Sequence, residues 1–446
     1  MSEDPTDRPS RAIPHGRLSR LGQFGRLAGG VAGGMVAEGA RRLAAGERPR
    51  LGELMLTPAN AKRVADRLSH LRGAAMKLGQ MISMDAGDLL PPELATILAT
   101  LRNQAYRMPP QQLDTVLKAE WGADWRRRFR QFEATPIAAA SIGQVHRATL
   151  PDGRVLAIKV QYPGVRQSID ADVDNVATLL RVANVLPPTL DLAPLLSEAK
   201  RLLAEEADYR REGAQMAAYR ERLHGDPRYV VPGLFDELTT DSVLAMEFVD
   251  GAAIETLDAA PQDVRDRLMT ALIGLVLREL FSFGVMQTDP NFANYRWQPE
   301  SGRLVLLDFG ATRVVPPATA AAYRALIDAG LRHDREAIRR IAVETGFLGA
   351  EAAVRHRGAV DRIIAAIDDA MARPGPFDFA DRAFVPIIRA ETPAIIADRA
   401  TWHVPDVETL FVQRKVSGTA LLAARLKARV DVTGLAAHAI GAPDPS

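Results

Sequence analysis

Four short stretches, read in chain order, constrain this sequence more than its composition does. They are the apolar run Leu156-Ala-Ile-Lys159-Val160, the carboxylate Glu212 in a helical segment, the loop Asp289-Pro-Asn-Phe-Ala-Asn294, and Asp308-Phe-Gly310. Asn294 falls five residues after Asp289, and Asp308 follows Asp289 by nineteen, enough for a hairpin between them. A lysine on an apolar strand can grip the α/β-phosphates of a nucleotide, and a helix carboxylate can hold that lysine. An aspartate followed by an asparagine, then a second aspartate before Phe-Gly, supplies a catalytic group and two metal ligands. Each element is a weak signal alone; in this order they point together to phosphoryl transfer.

Composition is compatible with that chemistry. At 446 residues, 47% hydrophobic and 25% charged, the chain can bury a large core and reads as a soluble enzyme of two or three lobes. The net charge of +1 gives no global pull on nucleic acid, and no nucleic-acid partner is expected. The absence of cysteine excludes disulfides and thiolate metal sites. Glu3, Asp4 and Asp7 and the lack of an early apolar run argue against a secretory signal. The uncharged stretch Leu27 to Ala37 is only eleven residues long, too short to span a bilayer. Within it, Gly29/Gly33 and Gly30/Gly34 form two overlapping GxxxG pairs that let helices pack closely, and Arg17, Arg20, Arg26, Arg41 and Arg42 surround it. Two readings stay open for this leader: a membrane-contact or homodimerising helix, and a flexible Gly/Ala-rich segment.

From Asn60 onward Val64, Leu68, Leu71, Ala75, Leu78 and Ile82 recur at steps of four and three, the pattern of a long amphipathic helix that Pro91-Pro92 would stop. Lys77 and Gln80 sit off that stripe on a common side; taken alone, they read as a solvated face. Further on, Thr135 to His146 has the place of a phosphate-covering loop between strands. Pro151-Asp-Gly153 reads as a turn and Val155 to Val160 as the strand bearing Lys159. A lone strand lysine is usually an exposed edge residue, but the downstream motifs reverse that reading here. An ordinary kinase lines the covering loop with glycines so that bare backbone N–H groups approach phosphate. Ala138, Ala139 and Ala140, followed by Ser141, stand here instead, leaving only Gly143, and their methyl groups are expected to stiffen the loop.

With these residues in view, the chain resembles the UbiB/ADCK family of atypical, protein-kinase-like proteins associated with ubiquinone biosynthesis. The resemblance rests on Lys77-Leu-Gly-Gln80 (KxGQ), the alanine loop Ala138 to Ser141, Glu206-Ala-Asp208 (ExD), Gln287-Thr-Asp-Pro290 and Leu307-Asp-Phe-Gly-Ala-Thr-Arg313. It runs from about residue 60 to about residue 430 and includes Gln413-Arg-Lys-Val-Ser-Gly418. The implied fold is α+β, two-lobed and protein-kinase-like, with an N-terminal helical KxGQ extension and a largely helical C-lobe. The domains expected are a Gly/Arg-rich leader over 1–50, the KxGQ extension over 51–115, an N-lobe over 116–248 and a C-lobe over 249–446.

The same resemblance implies residue roles. Lys159 contacts the α/β-phosphates of ATP and pairs with Glu212; Asp289 is the catalytic-loop aspartate; Asn294 and Asp308 hold Mg²⁺. Ala138, Ala139, Ala140 and Ser141 lie over the nucleotide, and Met246-Glu247-Phe248-Val249 forms the hinge beside the adenine. Lys77 and Gln80 form a regulatory lid that Glu206 and Asp208 anchor. On one continuous helix, however, Glu205, Asp208 and Glu212 share a face and Glu206 does not, so Glu205 or Glu206 is the anchor.

Two departures from ordinary kinases bear on substrate. No arginine precedes Asp289, and after Gly310 the chain soon reaches Pro316-Pro317, with no APE motif beyond. A peptide-binding activation segment is therefore missing. The expected function is ATP hydrolysis or phosphoryl transfer to a small or lipid-linked acceptor in support of ubiquinone biosynthesis, not protein phosphorylation in trans. The alternative is a nucleotide-binding pseudokinase that scaffolds a ubiquinone-biosynthesis complex. The Gln-Thr-Asp-Pro form looks closer to the mitochondrial and alphaproteobacterial type of the family than to the His-Gly-Asp form of its other bacterial members. The protein's expected location is the bacterial cytoplasm, peripheral to the inner membrane. Its implied partners are ATP or ADP, a quinone-precursor lipid or membrane surface, and other ubiquinone-biosynthesis proteins. Downstream of Ala318, Ala359 to Met371 and Glu408 to Val430 read as helices of a C-lobe scaffold around a loop near Arg373-Pro-Gly-Pro376.

Overall fold

A computed structural model of the chain describes residues 108–140, 142–182, 193–401 and 406–441. The leader with its GxxxG pairs, the part of the KxGQ extension that holds Lys77 and Gln80, and Ser141 lie outside those residues. The chain divides into two compact units. The first runs through Ala214 and takes in Gly233–Phe248; the second comprises Gln215–Pro232 and Val249 onward.

The first unit is built on an antiparallel sheet. Its strands are β1 (Gln131–Phe132), β2 (Ala138–Ala139), β3 (Gly143–Thr149), β4 (Val155–Gln161) and β6 (Val243–Glu247). They run in the order β1-β3-β4-β6, with β2 paired to β3. Strand alternation sorts β4 into two faces. Leu156, Ile158 and Val160 are buried in a core with Leu113, Leu117 and Trp121 of helix α1 (Pro110–Trp121), together with Trp125 and Phe129. Proline at the start of α1 costs no helical hydrogen bond, and the i, i+4, i+8 spacing of its three buried residues puts them on one stripe. Burying Leu113 and Leu117 contributes roughly 1.5–3 kcal/mol each. The opposite face of β4 presents Ala157, Lys159 and Gln161. Helices α2 (Val165–Val182) and α3 (Ala193–Glu206) follow, and then α4 (Tyr209–Arg222), whose residues through Ala214 count with this unit.

The continuous helix expected through Glu205, Asp208 and Glu212 is two helices. The break comes at Ala207–Asp208, where the buried amide of Gln161 donates to the Ala207 carbonyl at 2.8 Å. Asp208 then accepts from the Arg211 backbone N–H at 3.0 Å, capping the start of α4. The shared face of Glu205, Asp208 and Glu212 therefore does not exist.

The second unit is mainly helical. Strands β5 (Tyr229–Val230), β7 (Ala252–Ala253), β9 (Tyr295–Gln298) and β10 (Arg303–Leu306) form a sheet in the order β5-β10-β9-β7. Helix α5 (Gln262–Arg278) buries Leu268, Met269, Leu272, Leu275 and Val276. It runs into one π-helical segment, Glu279–Phe283, that ends at Gly284. Strand β8 (Val285–Gln287) then pairs with β11 (Thr312–Val314). Helix α6 (Pro317–Leu331) starts almost at once, so the segment after Asp308-Phe-Gly310 is a short strand and no long loop. Beyond it lie α7 (Arg335–Glu344), α8 (Ala350–Arg355), α9 (Arg357–Met371), β12 (Phe377–Asp378), α10 (Val385–Ala397), α11 (Val407–Arg425), β13 (Arg429–Val430) and α12 (Val432–Gly441).

The helix expected from Glu408 to Val430 stops five residues early. Lys427 takes a left-handed φ of 51°, and the Ala428 and Lys427 N–H groups return to the carbonyls of Ala423 and Ala424. This closed C-terminal turn frees Arg429–Val430 to pair with β12. Helix α10 holds Pro393 inside it. Among the described residues no helix is long and apolar enough to cross a membrane.

Candidate functional site

In the first unit Lys159 leaves the sheet on the face away from the aromatic core. Its Nζ lies 2.9 Å from both carboxylate oxygens of Glu212, with the two side chains 7% and 1% exposed. The Tyr209 ring approaches the same ammonium, 5.0 Å from centroid to Nζ. The break between α3 and α4 sets this geometry: Gln161 fixes Ala207, Asp208 restarts the helix, and Glu212 sits one turn further on.

The alanine segment is a tight hairpin. Ala138 pairs with Val145 and Ala139 with Gln144, and the Ala140 N–H reaches the Gly143 carbonyl at 2.9 Å. Ala139 is exposed, while Ala138 and Ala140 are half-buried. Gly143 has a packing reason of its own. A Cβ there would lie 2.3 Å from the Val160 carbonyl oxygen, so the one glycine left in this loop is required by the neighbouring strand.

Glu205 pairs with Arg201 at 2.7 Å, one turn back on α3, and approaches Arg211 at 3.9 Å. Glu206 is half-buried at the end of the helix. Glu247 ends β6, exposed, and its carboxylate accepts from the Gly233 N–H at 3.1 Å. Val249 is the first residue of the second unit's longer segment.

In the second unit the β9–β10 hairpin sets the other motif residues. Tyr295 pairs with Leu306, and the Leu307 N–H donates to the Asn294 carbonyl at 3.1 Å, so Asn294 and Asp308 flank the open end of one hairpin. The Asn294 Nδ2 donates to the Asp289 carbonyl at 3.3 Å, which commits its nitrogen and turns the amide oxygen elsewhere. Asp308 Oδ1 accepts from the Gly310 N–H at 3.0 Å. Phe309 is buried against Tyr219, with ring centroids 5.0 Å apart.

A polar cluster with no counterpart in the motif pattern also meets this loop. Arg414 on α11 places Nη2 3.4 Å from Asp289 Oδ1. The next residue, Lys415, is fully buried and donates to Gln287 Oε1 at 2.9 Å and to the Tyr295 hydroxyl. Glu279, at the π-helical turn, accepts from the Tyr219 hydroxyl at 2.8 Å and from the Gln287 N–H at 3.2 Å. Burial pushes the Glu279 carboxyl up against the opposing charge of Lys415. Burial alone would lower Lys415, but Tyr295 and Glu279 hold it above the ordinary lysine value, so it stays charged. The signal was present in Gln413-Arg-Lys-Val-Ser-Gly418, a hydrophilic patch in an otherwise Ala/Leu-rich helix.

The chain is similar to known proteins over most of its length. A family model described as the ABC1 atypical kinase-like domain matches residues 100–342. "Atypical kinase COQ8B, mitochondrial" of Danio rerio is 37% identical over 423 residues, covering 94% of this chain and 68% of that protein. "Atypical kinase COQ8, mitochondrial" of Saccharomyces cerevisiae is 36% identical over 423 residues, covering 94% of this chain and 84% of its own length. Among solved structures, Rv3197 of Mycobacterium tuberculosis in complex with erythromycin aligns with a TM-score of 0.60 at 26% identity, over 84% of this chain and 94% of that one.

Proposed function

The chain belongs to the ABC1 atypical kinase-like (UbiB/ADCK) family, and from that premise we propose that it binds Mg·ATP and spends it on hydrolysis or on phosphoryl transfer to a small or lipid-linked acceptor in ubiquinone biosynthesis. The observation that most supports this reading is the buried Lys159–Glu212 pair. Desolvating two charges is expensive, and an apolar pair would pack there at least as well, so stability alone gives little reason for it. A lysine held bidentately with its ammonium fixed is suited to the α/β-phosphates.

The residues present fit a magnesium ion. Asn294 offers an amide oxygen and Asp308 a carboxylate, the hard oxygen donors that Mg²⁺ takes in ones and twos while phosphates and water complete its shell. When bound, the metal would neutralise charge on the transferring phosphates. Asp289 would orient the attacking hydroxyl or water and accept its proton, and the alanine hairpin would limit how closely backbone approaches the phosphates. Glu247 and Val249 would line the adenine. Lys77 and Gln80, anchored by Glu206 and Asp208, would cover the site and restrain turnover. The short run from Gly310 to α6 offers no platform for a peptide acceptor. A membrane surface is the proposed location, with the Gly/Arg-rich leader as the contact.

Asp308→Asn tests the assignment directly. It should abolish most of the thermal shift that Mg·ATP gives the wild type, which at 100 times Kd is worth about 2.7 kcal/mol. An unchanged shift would remove Asp308 from metal binding. ATP turnover by the purified chain, with and without anionic liposomes and a phenolic quinone-precursor mimic, tests the substrate class; indifference to both would remove the lipid and the quinone precursor from the reading.

A further inference from the structure

The sequence around Asp289 lacks the arginine that precedes the catalytic aspartate of ordinary protein kinases, yet the folded chain brings one there. Arg414, 125 residues downstream, meets Asp289 Oδ1 at 3.4 Å with both side chains mostly shielded, 11% and 14% exposed. Its placement is enforced on either side. Lys415 is locked into the interior by Gln287 and Tyr295, residues that bracket the Asp289–Asn294 loop in sequence. One turn along α11, Gly418 meets Pro290 so closely that a Cβ would lie 2.2 Å from the proline Cβ. Helix and loop therefore fit at one register only. A side-chain-bearing residue at 418 would lift α11 from the loop and withdraw the guanidinium from the carboxylate.

We infer that Arg414 is a positioning residue for Asp289: α11 supplies from the far end of the chain a cation that restrains the aspartate's side-chain rotation. The inference rests on the reading of Asp289 as the catalytic-loop residue. The physical reason is that an aspartate side chain turns about two torsions, and a shielded guanidinium contact narrows the range of both. A charge placed there is also spared much of the screening that makes surface pairs weak. The cluster of Glu279, Tyr219, Gln287, Lys415 and Tyr295 is the mounting that holds α11 to the loop.

A double-mutant cycle on the full chain tests this, with Mg·ATP hydrolysis and Mg·ATP binding measured side by side. Arg414→Met keeps most of the stem and removes the charge, Arg414→Lys keeps the charge, and Asp289→Asn removes the carboxylate. Arg414→Met should lower kcat about 10- to 100-fold while nucleotide affinity stays within about threefold. Arg414→Lys should recover much of the lost rate. Added to Asp289→Asn, Arg414→Met should lower the rate no further, because its effect passes through the missing carboxylate. A full additional loss in that background, a fall in affinity matching the fall in kcat, or an unaltered kcat would each overturn the inference. Should Arg414→Met fail to fold, the cycle with Arg414→Gln decides it: a loss that disappears in the Asp289→Asn background supports positioning, whereas a persisting loss or no loss at all overturns it. A silent Asp289→Asn would bring down the catalytic-loop reading itself and this inference with it, an outcome distinct from failure of Arg414 alone.

Discussion

Lys159 Nζ stands 2.9 Å from each carboxylate oxygen of Glu212, and the pair is almost wholly withdrawn from solvent. Two helices and a strand converge to make it: β4 aims the lysine, and the restart of the chain at Asp208 aims the glutamate. The energetic weight of such a pair lies in its symmetry. Together the charges compensate; singly, each is a buried ion.

That symmetry gives a prediction that separates stability from nucleotide use. Glu212→Ala leaves the Lys159 ammonium in a dry site and should destabilise the fold by about 3–5 kcal/mol. The double variant Lys159→Met/Glu212→Leu should regain most of that stability, because well-packed apolar side chains suit the site as well as an ion pair does. It should nevertheless show no Mg·ATP thermal shift. Denaturant melts of the three proteins, with and without nucleotide, measure both quantities. A double variant that still binds nucleotide like the wild type would show that Lys159 does not touch phosphate.

The alanine hairpin carries a second prediction. Ala139 is exposed at the tip side of β2, and its neighbours pair through backbone to β3. Replacing it by glycine removes a methyl group without removing a packed contact, and should cost only about 0.5–1 kcal/mol of stability. If the methyl groups hold the hairpin off the phosphates, Ala139→Gly should tighten nucleotide binding and raise basal phosphoryl transfer. Titrations with ATP and ADP and an autophosphorylation assay check this; wild-type values in all three would show that the hairpin is not a gate.

What the sequence showed and what it hid divide along one physical line. The strand bearing Lys159 and the hairpin between Asn294 and Asp308 are encoded by local alternation and turn residues, and both stand where the pattern puts them. The split between α3 and α4 is a tertiary event. Nothing near Ala207 forbids helix; the amide of Gln161, 46 residues earlier, takes the carbonyl that helix continuation would leave to the backbone. Arg414 was hidden for the same reason, being separated from Asp289 by 125 residues that no periodicity links. The end of α11 carries no local signal because the left-handed residue that closes it is a lysine, where a glycine would announce it.

The last prediction concerns pH and the interior of the first unit. His146, on β3, is fully buried beside the aromatic cluster, stacked on Phe132. Its Nδ1–H donates to the Glu133 carbonyl at 2.8 Å, and its Nε2 accepts from Gln144 at 2.9 Å, so both ring nitrogens are satisfied in the neutral form. Burial pushes the ring down to about 4, with the Glu133 carbonyl opposing. Because the folded value lies below the ordinary histidine value near 6.5, protons bind the unfolded chain first. The stabilisation is therefore complete above about pH 6.5 and is lost as pH falls toward about 4, by roughly 3 kcal/mol across that window. His146→Gln, which can keep one of the two hydrogen bonds and does not titrate, should be less stable than the wild type at pH 7.5 and should lose less stability on acidification to pH 5. Denaturant melts at the two pH values measure the difference. Parallel losses in the two proteins would show that His146 takes up its proton in the folded state as readily as in the unfolded one.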